Sequence, residues 1–423
     1  MPLLDRLTKQ ISVVFIASTV TNIANYLFHV FMSRTLGPSS YGIMVSLISI
    51  FFIISIPATT IQTSIAKYTS HFKAQNQYGK VGVLLSGSLK GLSLAGIAAF
   101  IIFLLGSSYI ASFLKISSKI PVIIVGASLS FALILPSPLG ILQGLQRFGQ
   151  FGANLVIQSF SKLLLGILLV YLGLGVSGAL SAFTISFLAG LLIALISLAF
   201  LFRQSNTDDD VNFSEIYRYS FPVLITILCF TLLTNIDVVL VKRFFASSEA
   251  GYYSAASIVS KIIIYLPGAI GAVMFPRTSE LYSLNQDTIS VLRRSLFYTA
   301  LLCGGAMVGY FSIPSFIVKV IFGEQYLATI PLIGVFGLAM CFFSLTNILL
   351  MYQLSIHRLE FVKILIIATA LEVVLITLFH RTLTQVILSL LIVSLFLFLV
   401  NSYYVFVVSK RLSLFCKKGS GKR

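Results

Sequence analysis

The sequence is poor in charge: only 10% of its 423 residues are Asp, Glu, Lys or Arg. Soluble domains carry roughly a quarter of their residues as these four types. With 58% hydrophobic residues and a mean hydropathy of +1.02, this chain has too few polar groups to face water on every side. The composition therefore excludes a soluble globular enzyme.

The sequence also has few residues of the types that hold metals. It has four histidines, and its four cysteines lie singly at Cys229, Cys303, Cys341 and Cys416. Their spacing matches no metal or redox motif, so we interpret them as unpaired small apolar residues. No nucleotide- or cofactor-binding motif is visible, and we expect neither a cofactor nor a metal.

Long apolar runs are what the sequence has instead. Runs of about 18–25 residues, the length that a helix needs to cross a bilayer, recur from end to end. Strands of a membrane barrel alternate polar and apolar residues, and runs such as 122–135 and 388–400 do not. The first run, at 11–32, has no suitable cleavage site, so we interpret it as a transmembrane helix and not a signal peptide.

Hydropathy predicts twelve transmembrane helices, six on each side of the longest polar break. They cover residues 11–33, 41–66, 82–106, 120–143, 153–174, 177–202, 219–241, 250–275, 294–313, 329–355, 361–380 and 384–408. The predicted domains are a six-helix bundle at 1–202, a cytoplasmic linker at 203–218, a second bundle at 219–408 and a basic cytoplasmic tail at 409–423. We expect an all-α integral membrane protein whose bundles surround a central cavity.

The distribution of Lys and Arg predicts the orientation. With the N-terminus inside, 19 of the 29 basic residues fall in inside loops, helix ends and the tail, and 7 fall outside. Because basic residues accumulate in cytoplasmic loops, we expect a multi-pass protein of the cytoplasmic (inner) membrane with both termini in the cytoplasm. The net charge of +17 would then face anionic lipid, and nucleic-acid binding is a poor explanation for it.

The two halves of the sequence resemble each other. The segment RTLGPSSYG at 34–42 corresponds to KRFFASSEAGY at 242–252, and Pro57 corresponds to Pro267. Gln143 and Arg147 likewise correspond to Gln353 and Arg358. All three matches have offsets of about 208 to 211 residues, which predicts a duplicated six-helix unit. Two parallel repeats would be related by a pseudo-two-fold axis along the membrane normal.

Five charged residues lie inside predicted helices. Lys90, Lys162 and Lys261 fall in helices three, five and eight, while Asp237 and Glu372 fall in helices seven and eleven. A charge near the bilayer centre costs about 2.5–3.5 kcal/mol on insertion scales, so it should face a cavity or a partner. Snorkelling toward the inner interface is the alternative for Lys90.

Polar side chains recur at helical spacing on four predicted helices. The stripes are Ser18, Asn22, Asn25 and His29; Ser55, Thr59 and Gln62; Asn154, Gln158 and Lys162; and Ser254, Ser257, Lys261 and Tyr265. Helices that face only lipid have no need of such stripes, which therefore predict a hydrated cavity with mainly cationic fixed charge. Hydrogen bonding between helices is the alternative explanation for each stripe.

Alternatives also stay open for the titratable candidates. His29 is either a proton-titrating switch or a hydrogen-bonded interface histidine. Glu372 is either functional or a structural partner of a lysine, and Asp237 is either functional or a solvated cap. The acidic run at 208–210 and the glycosylation sequon at 212–214 lie in the predicted linker, and we assign a function to neither.

The turn after predicted helix one resembles a known motif. RTLGPSSYG at 34–42 is similar to the Arg-x-Leu-Gly-x-x-x-Tyr/Phe-Gly turn of Wzx-type polysaccharide and O-antigen flippases. These flippases belong to the multidrug/oligosaccharidyl-lipid/polysaccharide (MOP) exporter superfamily. The resemblance covers nearly the whole chain, since the twelve helices, two halves, middle loop and inside termini match it as well.

The resemblance implies a flippase and not an enzyme. It implies that a polyisoprenoid-(pyro)phosphate-linked oligosaccharide crosses to the outer leaflet by alternating access, for cell-surface polysaccharide synthesis. From helical spacing alone we expect the substrate-binding residues to be Lys90, Lys162, Lys261, Asn22, Asn25, Gln62 and Gln158. The candidates for coupling or gating are His29, Arg34, Asp237 and Glu372. We expect Arg34, Gly37 and Gly42 to shape the turn at the outer gate.

Other functions remain as alternatives. A cation-coupled multidrug exporter of the same superfamily commonly has an embedded carboxylate on helix one, and this chain has none there. A membrane glycosyltransferase or polymerase usually has a large catalytic loop, whereas the outer loops here are short; a scramblase or channel stays open. We expect a monomer, and association with a polysaccharide polymerase or ligase stays open. The sequence leaves open which ion is coupled to transport and which sugar is carried.

Overall fold

The computed structural model describes residues 2–202, 224–284, 286–356, 358 and 360–408. Within these ranges every regular element is helical, and no strand is present. The predicted linker at 203–218, the acidic run and sequon within 208–214, and the predicted tail at 409–423 lie outside the described residues.

The chain divides into two compact units, with the boundary between Thr231 and Leu232. The first unit contains α1 (Pro2–Ala74), α2 (Tyr78–Phe113), α3 (Ile120–Ile134), α4 (Pro136–Gly144), α5 (Phe148–Leu169), a π-helical turn (Val170–Leu174), α6 (Gly175–Ser197) and α7 (Ala199–Phe202). Helix α8, described over residues 224–233, contains the boundary.

The second unit continues the helical series. Its elements are α9 (Ile236–Phe244), α10 (Ser247–Tyr265), α11 (Gly268–Ser283), α12 (Ile289–Ser312), α13 (Pro314–Ile321), a 3₁₀ turn (Glu324–Thr329), α14 (Ile330–Ser355), α15 (Phe361–Leu378), α16 (Leu383–Tyr403) and a π-helical turn (Tyr404–Val408). Predicted helix eight is interrupted, because α10 ends at Tyr265 and α11 begins after Pro267.

Helix α1 contains both predicted helices one and two. Its 73 residues would extend about 110 Å at 1.5 Å per residue, far more than the roughly 30 Å of a bilayer core. The helical path breaks at Gly37, whose φ of 72° and ψ of 168° lie outside the helical region. Pro38 follows, and proline favours the first position of a new helix. The expected loop is thus reduced to a break at one glycine.

Nine helical segments of the described chain are long and apolar enough to cross a membrane. Two of them, Ser12–Ala74 and Phe148–Ser197, are 63 and 50 residues long, at least twice the length of about 20 residues that one crossing needs. The first breaks at Gly37, and the second breaks at Gly173 and Gly175, which have φ values of 85° and 50°. The protein is therefore a multi-pass membrane protein, and the count of twelve crossings stays a prediction.

Each unit has its own apolar core. Ile65, Leu84, Ile141 and Ala194 bring α1, α2, α4 and α6 together in the first unit. Met274, Leu292, Leu349 and Val405 bring together α11, α12, α14 and the turn after α16 in the second. Large apolar side chains also lie on the surface, as at Leu105 and Ile196, which are 79% and 75% exposed. Such a surface suits lipid better than water.

Helices α1 and α4 meet without room for a side chain at Gly144. A methyl group on Gly144 would lie 2.5 Å from Thr69 Cβ and 2.6 Å from the Ala66 carbonyl oxygen. Small residues allow this close backbone approach, which is a principal source of stability between helices in lipid.

Candidate functional site

Lys162 is the centre of a polar cluster in the first unit. From α5 its Nζ donates a hydrogen bond of 2.5 Å to Asn25 Oδ1 on α1. The same nitrogen lies 5.2 Å from the ring centroid of Phe28 and 4.6 Å from that of Phe183, on α1 and α6. An ammonium over aromatic rings gains a cation–π attraction that grows as water is excluded. Three helices therefore hold this cation with a carbonyl dipole and two ring faces.

The polar stripe on α5 continues away from Lys162. Asn154 is fully buried, and its Nδ2 donates a hydrogen bond of 2.7 Å to the Gly190 carbonyl on α6. Gln158 lies one turn further along, and its buried Nε2 has no hydrogen-bond partner in the described part of the chain. A buried donor without a partner is uncommon in folded proteins. The amide of Gln158 is therefore a candidate ligand group beside Lys162.

Other predicted substrate-binding residues lie elsewhere in the first unit. Gln62 Nε2 donates a hydrogen bond of 3.0 Å to Gln143 Oε1, which joins α1 to α4. Asn22 and Lys90 have exposed side chains, and neither forms a hydrogen bond with another described residue. Arg34 is also exposed, at the end of the first half of α1. The structure thus joins Lys162 with Asn25 and not with Gln62.

The second unit brings three of the predicted residues together. Lys261 on α10 interacts electrostatically with Asp237 on α9 and Glu372 on α15, and α15 packs against α9. Lys261 Nζ also donates a hydrogen bond of 3.3 Å to Asn235 Oδ1. With all three groups ionised, this cluster carries two negative charges and one positive charge.

Both carboxylates of this cluster are fully buried. Asp237 Oδ2 accepts a hydrogen bond of 2.8 Å from the Tyr253 hydroxyl, while Oδ1 has no hydrogen-bond partner in the part of the chain that the structure describes. Neither carboxylate oxygen of Glu372 has a hydrogen-bond partner among the described residues. A buried charge without full pairing is costly, so this arrangement favours uptake of a proton or a cation.

A buried tyrosine holds a titratable side chain in each unit. Tyr253 donates to Asp237 in the second unit, and in the first the Tyr41 hydroxyl lies 3.3 Å from His29 Nδ1. Both tyrosines are fully buried. His29 and Asp237 are 208 residues apart, the offset that also relates Arg34 to Lys242. The offset between the two repeats could therefore have predicted that His29 and Asp237 occupy corresponding positions.

Three further buried side chains, two of them beside Lys162, carried no usable sequence signal. Phe28 and Phe183 belong to a chain with 36 phenylalanines, so nothing in the sequence distinguishes them. Lys242, which the sequence places in an outer loop, instead lies inside α9, fully buried, with its Nζ 2.8 Å from Ser247 Oγ. The described residues contain no group of three or more His, Cys, Asp or Glu side chains that could hold a metal ion.

The sequence matches a family model described as "Polysaccharide biosynthesis protein" over residues 31–331. Among curated proteins, an uncharacterized membrane protein of Methanocaldococcus jannaschii is 24% identical over 303 residues, which cover 66% of this chain and 69% of that protein. These matches agree with the expected resemblance to polysaccharide exporters.

Solved structures of the MOP superfamily have the same fold. An inward-facing multidrug resistance transporter of the MATE family has a TM-score of 0.79 at 15% identity, covering 93% of this chain and 95% of its own. The lipid II flippase MurJ, in an inward closed conformation, has a TM-score of 0.70 at 16% identity, covering 92% and 87%. A MOP superfamily transporter from Pyrococcus furiosus, for which the reverse polarity of the binding pocket suggests a different function, has a TM-score of 0.65 at 14% identity, covering 95% and 94%.

Proposed function

The chain belongs to this family of polysaccharide biosynthesis proteins, and we propose that it is a flippase for a polyisoprenoid-(pyro)phosphate-linked oligosaccharide. Its family and fold are those of membrane transporters and flippases. In the proposed reaction the substrate moves by alternating access from the cytoplasmic to the outer leaflet of the inner membrane. The charge asymmetry supports the corresponding orientation, with both termini in the cytoplasm.

The electrostatics of Lys162 carry this proposal. The sequence has no Asp or Glu from residue 6 to residue 207, so the described residues 6–202 offer Lys162 no carboxylate. Its contacts, Asn25, Phe28 and Phe183, are all neutral. A lysine ammonium has three N–H donors, and Asn25 accepts only one of them. We therefore propose that Lys162 binds a phosphate of the carrier lipid, where its full charge offsets that of the anion.

The amides around Lys162 suit the neighbouring sugar. Gln158 has a buried N–H group that needs an acceptor, and sugar hydroxyls supply acceptors. Asn25 already contacts Lys162 and would follow its movement toward a phosphate. We propose Gln158 and Asn25 as the sugar-facing residues next to the phosphate site. Asn22, Gln62 and Lys90 stay as proposed contacts at other stages of the cycle.

Lys261 has a different role in this proposal. Unlike Lys162, it interacts with two carboxylates, Asp237 and Glu372, so its charge is more than compensated. A cluster with one surplus carboxylate repels a phosphate and attracts a proton or a monovalent cation. We propose that Asp237, Lys261 and Glu372 couple transport to such an ion. His29 and Arg34 remain the proposed gating residues of the first unit.

The test is transport in liposomes that contain the purified protein. We would follow transbilayer movement of a fluorescent polyprenyl-pyrophosphate-linked sugar by wild type, Lys162→Met, Lys162→Arg and the matched control Lys119→Met. Lys119 is an exposed lysine of the first unit with no part in the cluster. Lys162→Met should lower the transport rate at least tenfold, Lys162→Arg should retain part of it, and Lys119→Met should match wild type.

The same liposomes test the multidrug exporter, the alternative that the similarity to a MATE transporter and the carboxylates of the second unit favour. An exporter of cationic drugs would move a fluorescent organic cation and leave the lipid-linked sugar in its original leaflet. Lys162→Met would then not slow transport, because removal of a positive charge does not hinder a cation. That pair of results would replace the flippase proposal with the exporter.

A further inference from the structure

Two of the cysteines that lie far apart in the sequence are in contact in the second unit. Cys303 on α12 and Cys341 on α14 are free thiols whose side chains lie close enough to interact with each other. Cys303 also interacts with the side chain of Ser344, one turn after Cys341. Because 38 residues separate the two cysteines, their spacing gave no sign of this contact.

The packing of α12 against α14 supports this contact independently of the thiols. A methyl group on Gly334 would lie 2.6 Å from the Phe311 ring, and one on Gly337 would lie 2.7 Å from the Tyr310 ring. A contact further along α14 thus meets an earlier residue of α12. The two helices are therefore antiparallel and in close contact. The same methyl group on Gly337 would lie 3.0 Å from Met307 Sδ, and continuing one turn along both helices from this pair brings Cys341 opposite Cys303.

The two thiols differ in exposure. Cys303 is fully buried, whereas Cys341 keeps partial exposure. Susceptibility of a thiol to oxidation rises with its exposure as well as with its thiolate character, and a second thiol held next to it resolves the product as a disulfide. Cys341 has the position of the first thiol, and Cys303 has that of the resolving thiol.

We propose that Cys341 and Cys303 form a peroxide-oxidised dithiol site that closes to a disulfide between α12 and α14. Hydrogen peroxide converts the Cys341 thiol to a sulfenic acid and releases one water. The Cys303 sulfur then attacks the Cys341 sulfur, the S–O bond breaks, and a second water leaves with the Cys303 proton. The two thiols together lose two electrons and two protons, and the peroxide takes up both. The new bond fixes the register of α12 against α14.

The test uses the full chain in lipid, treated with hydrogen peroxide in the presence of dimedone, which traps sulfenic acids. Peptide mass spectrometry under non-reducing conditions should find a linked Cys303–Cys341 peptide pair in wild type. Cys303→Ser removes the resolving thiol, so dimedone labelling of Cys341 should rise at least tenfold over wild type. Cys341→Ser should leave Cys303 unlabelled, because the buried thiol is not reached first.

Cys229→Ser is the matched control, since it removes a buried cysteine elsewhere and leaves the pair intact. It should give the same disulfide yield as wild type. Wild-type protein that keeps both thiols free after peroxide treatment would overturn the proposal. So would a disulfide that joins either residue to Cys229, or dimedone labelling of Cys303 in Cys341→Ser. The wild-type result decides the linkage even where a variant folds poorly.

Discussion

The contact between α1 and α4 at Gly144 gives the sharpest prediction for stability. In Gly144→Ala the added methyl group would lie 2.5 Å from Thr69 Cβ and 2.6 Å from the Ala66 carbonyl oxygen, whereas ordinary contacts lie at 3.4–4 Å. The two helices must therefore separate by about 1 Å or bend. Overpacking of this kind costs about 1–3 kcal/mol. The equilibrium between folded and unfolded protein should shift by roughly 5- to 150-fold toward unfolding.

Helix propensity offers little compensation for this cost. In water, alanine stabilises a helix by about 1 kcal/mol relative to glycine. In a bilayer the helices persist when they separate, so the same gain stabilises both states and largely cancels. The control is Gly305→Ala on α12, where the added methyl group would have no neighbour within 4 Å. We expect this variant to stay within about 0.5 kcal/mol of wild type.

The measurement is reversible unfolding in mixed micelles titrated with SDS. The chain has 18 tyrosines and no tryptophan, so near-ultraviolet circular dichroism of tyrosine reports tertiary packing. The midpoint should fall for Gly144→Ala and stay unchanged for Gly305→Ala. Equal midpoints for the two variants would refute the reasoning, because they would mean that α1 and α4 do not meet at Gly144.

Two further predictions concern the buried carboxylates. Glu372→Gln should make transport insensitive to pH and to sodium, because the surplus charge that takes up an ion is removed. The exposed control Glu324→Gln should keep the wild-type dependence, and a wild-type dependence in Glu372→Gln would exclude Glu372 from coupling. Tyr253→Phe should lower the free energy of unfolding by about 1.5–3 kcal/mol, since Asp237 loses its donor. The corresponding Tyr41→Phe should cost less, about 0.5–1.5 kcal/mol, and an equal loss in both would argue against an ionised Asp237.

Properties of a single helix could be predicted from the sequence. Hydropathy indicates which segments prefer lipid, and it found the multi-pass helical fold. Helical spacing indicates which residues share a face, and the shared face of Asn154, Gln158 and Lys162 is the face of α5 that meets α1 and α6. The break at Gly37 could also be predicted from the sequence, because glycine commonly ends a helix and proline commonly begins the next one.

Contacts between helices could not be predicted in the same way. The two rings beside Lys162 come from α1 and α6, and periodicity within α5 contains no information on which phenylalanine of a neighbouring helix arrives there. The contact between Cys303 and Cys341 depends on the register of two antiparallel helices, which is set by glycines further along. Lys242 was assigned to a loop because its charge lowers the hydropathy of the segment. In the structure it is a buried residue of α9 that donates a hydrogen bond to Ser247.

The absence of Asp and Glu from the described residues 6–202, which contain Lys162 and its contacts, has an electrical consequence. A lysine fixed in the protein does not travel with the substrate, so the substrate itself carries the negative charge of its headgroup across the membrane, in addition to the charge of any coupled ion. A membrane potential that is negative inside contributes about 2.3 kcal/mol per 100 mV for each such charge moved outward. On the proposed function, the voltage alone would favour export, and the steady-state asymmetry of the lipid-linked sugar between leaflets would increase with the potential.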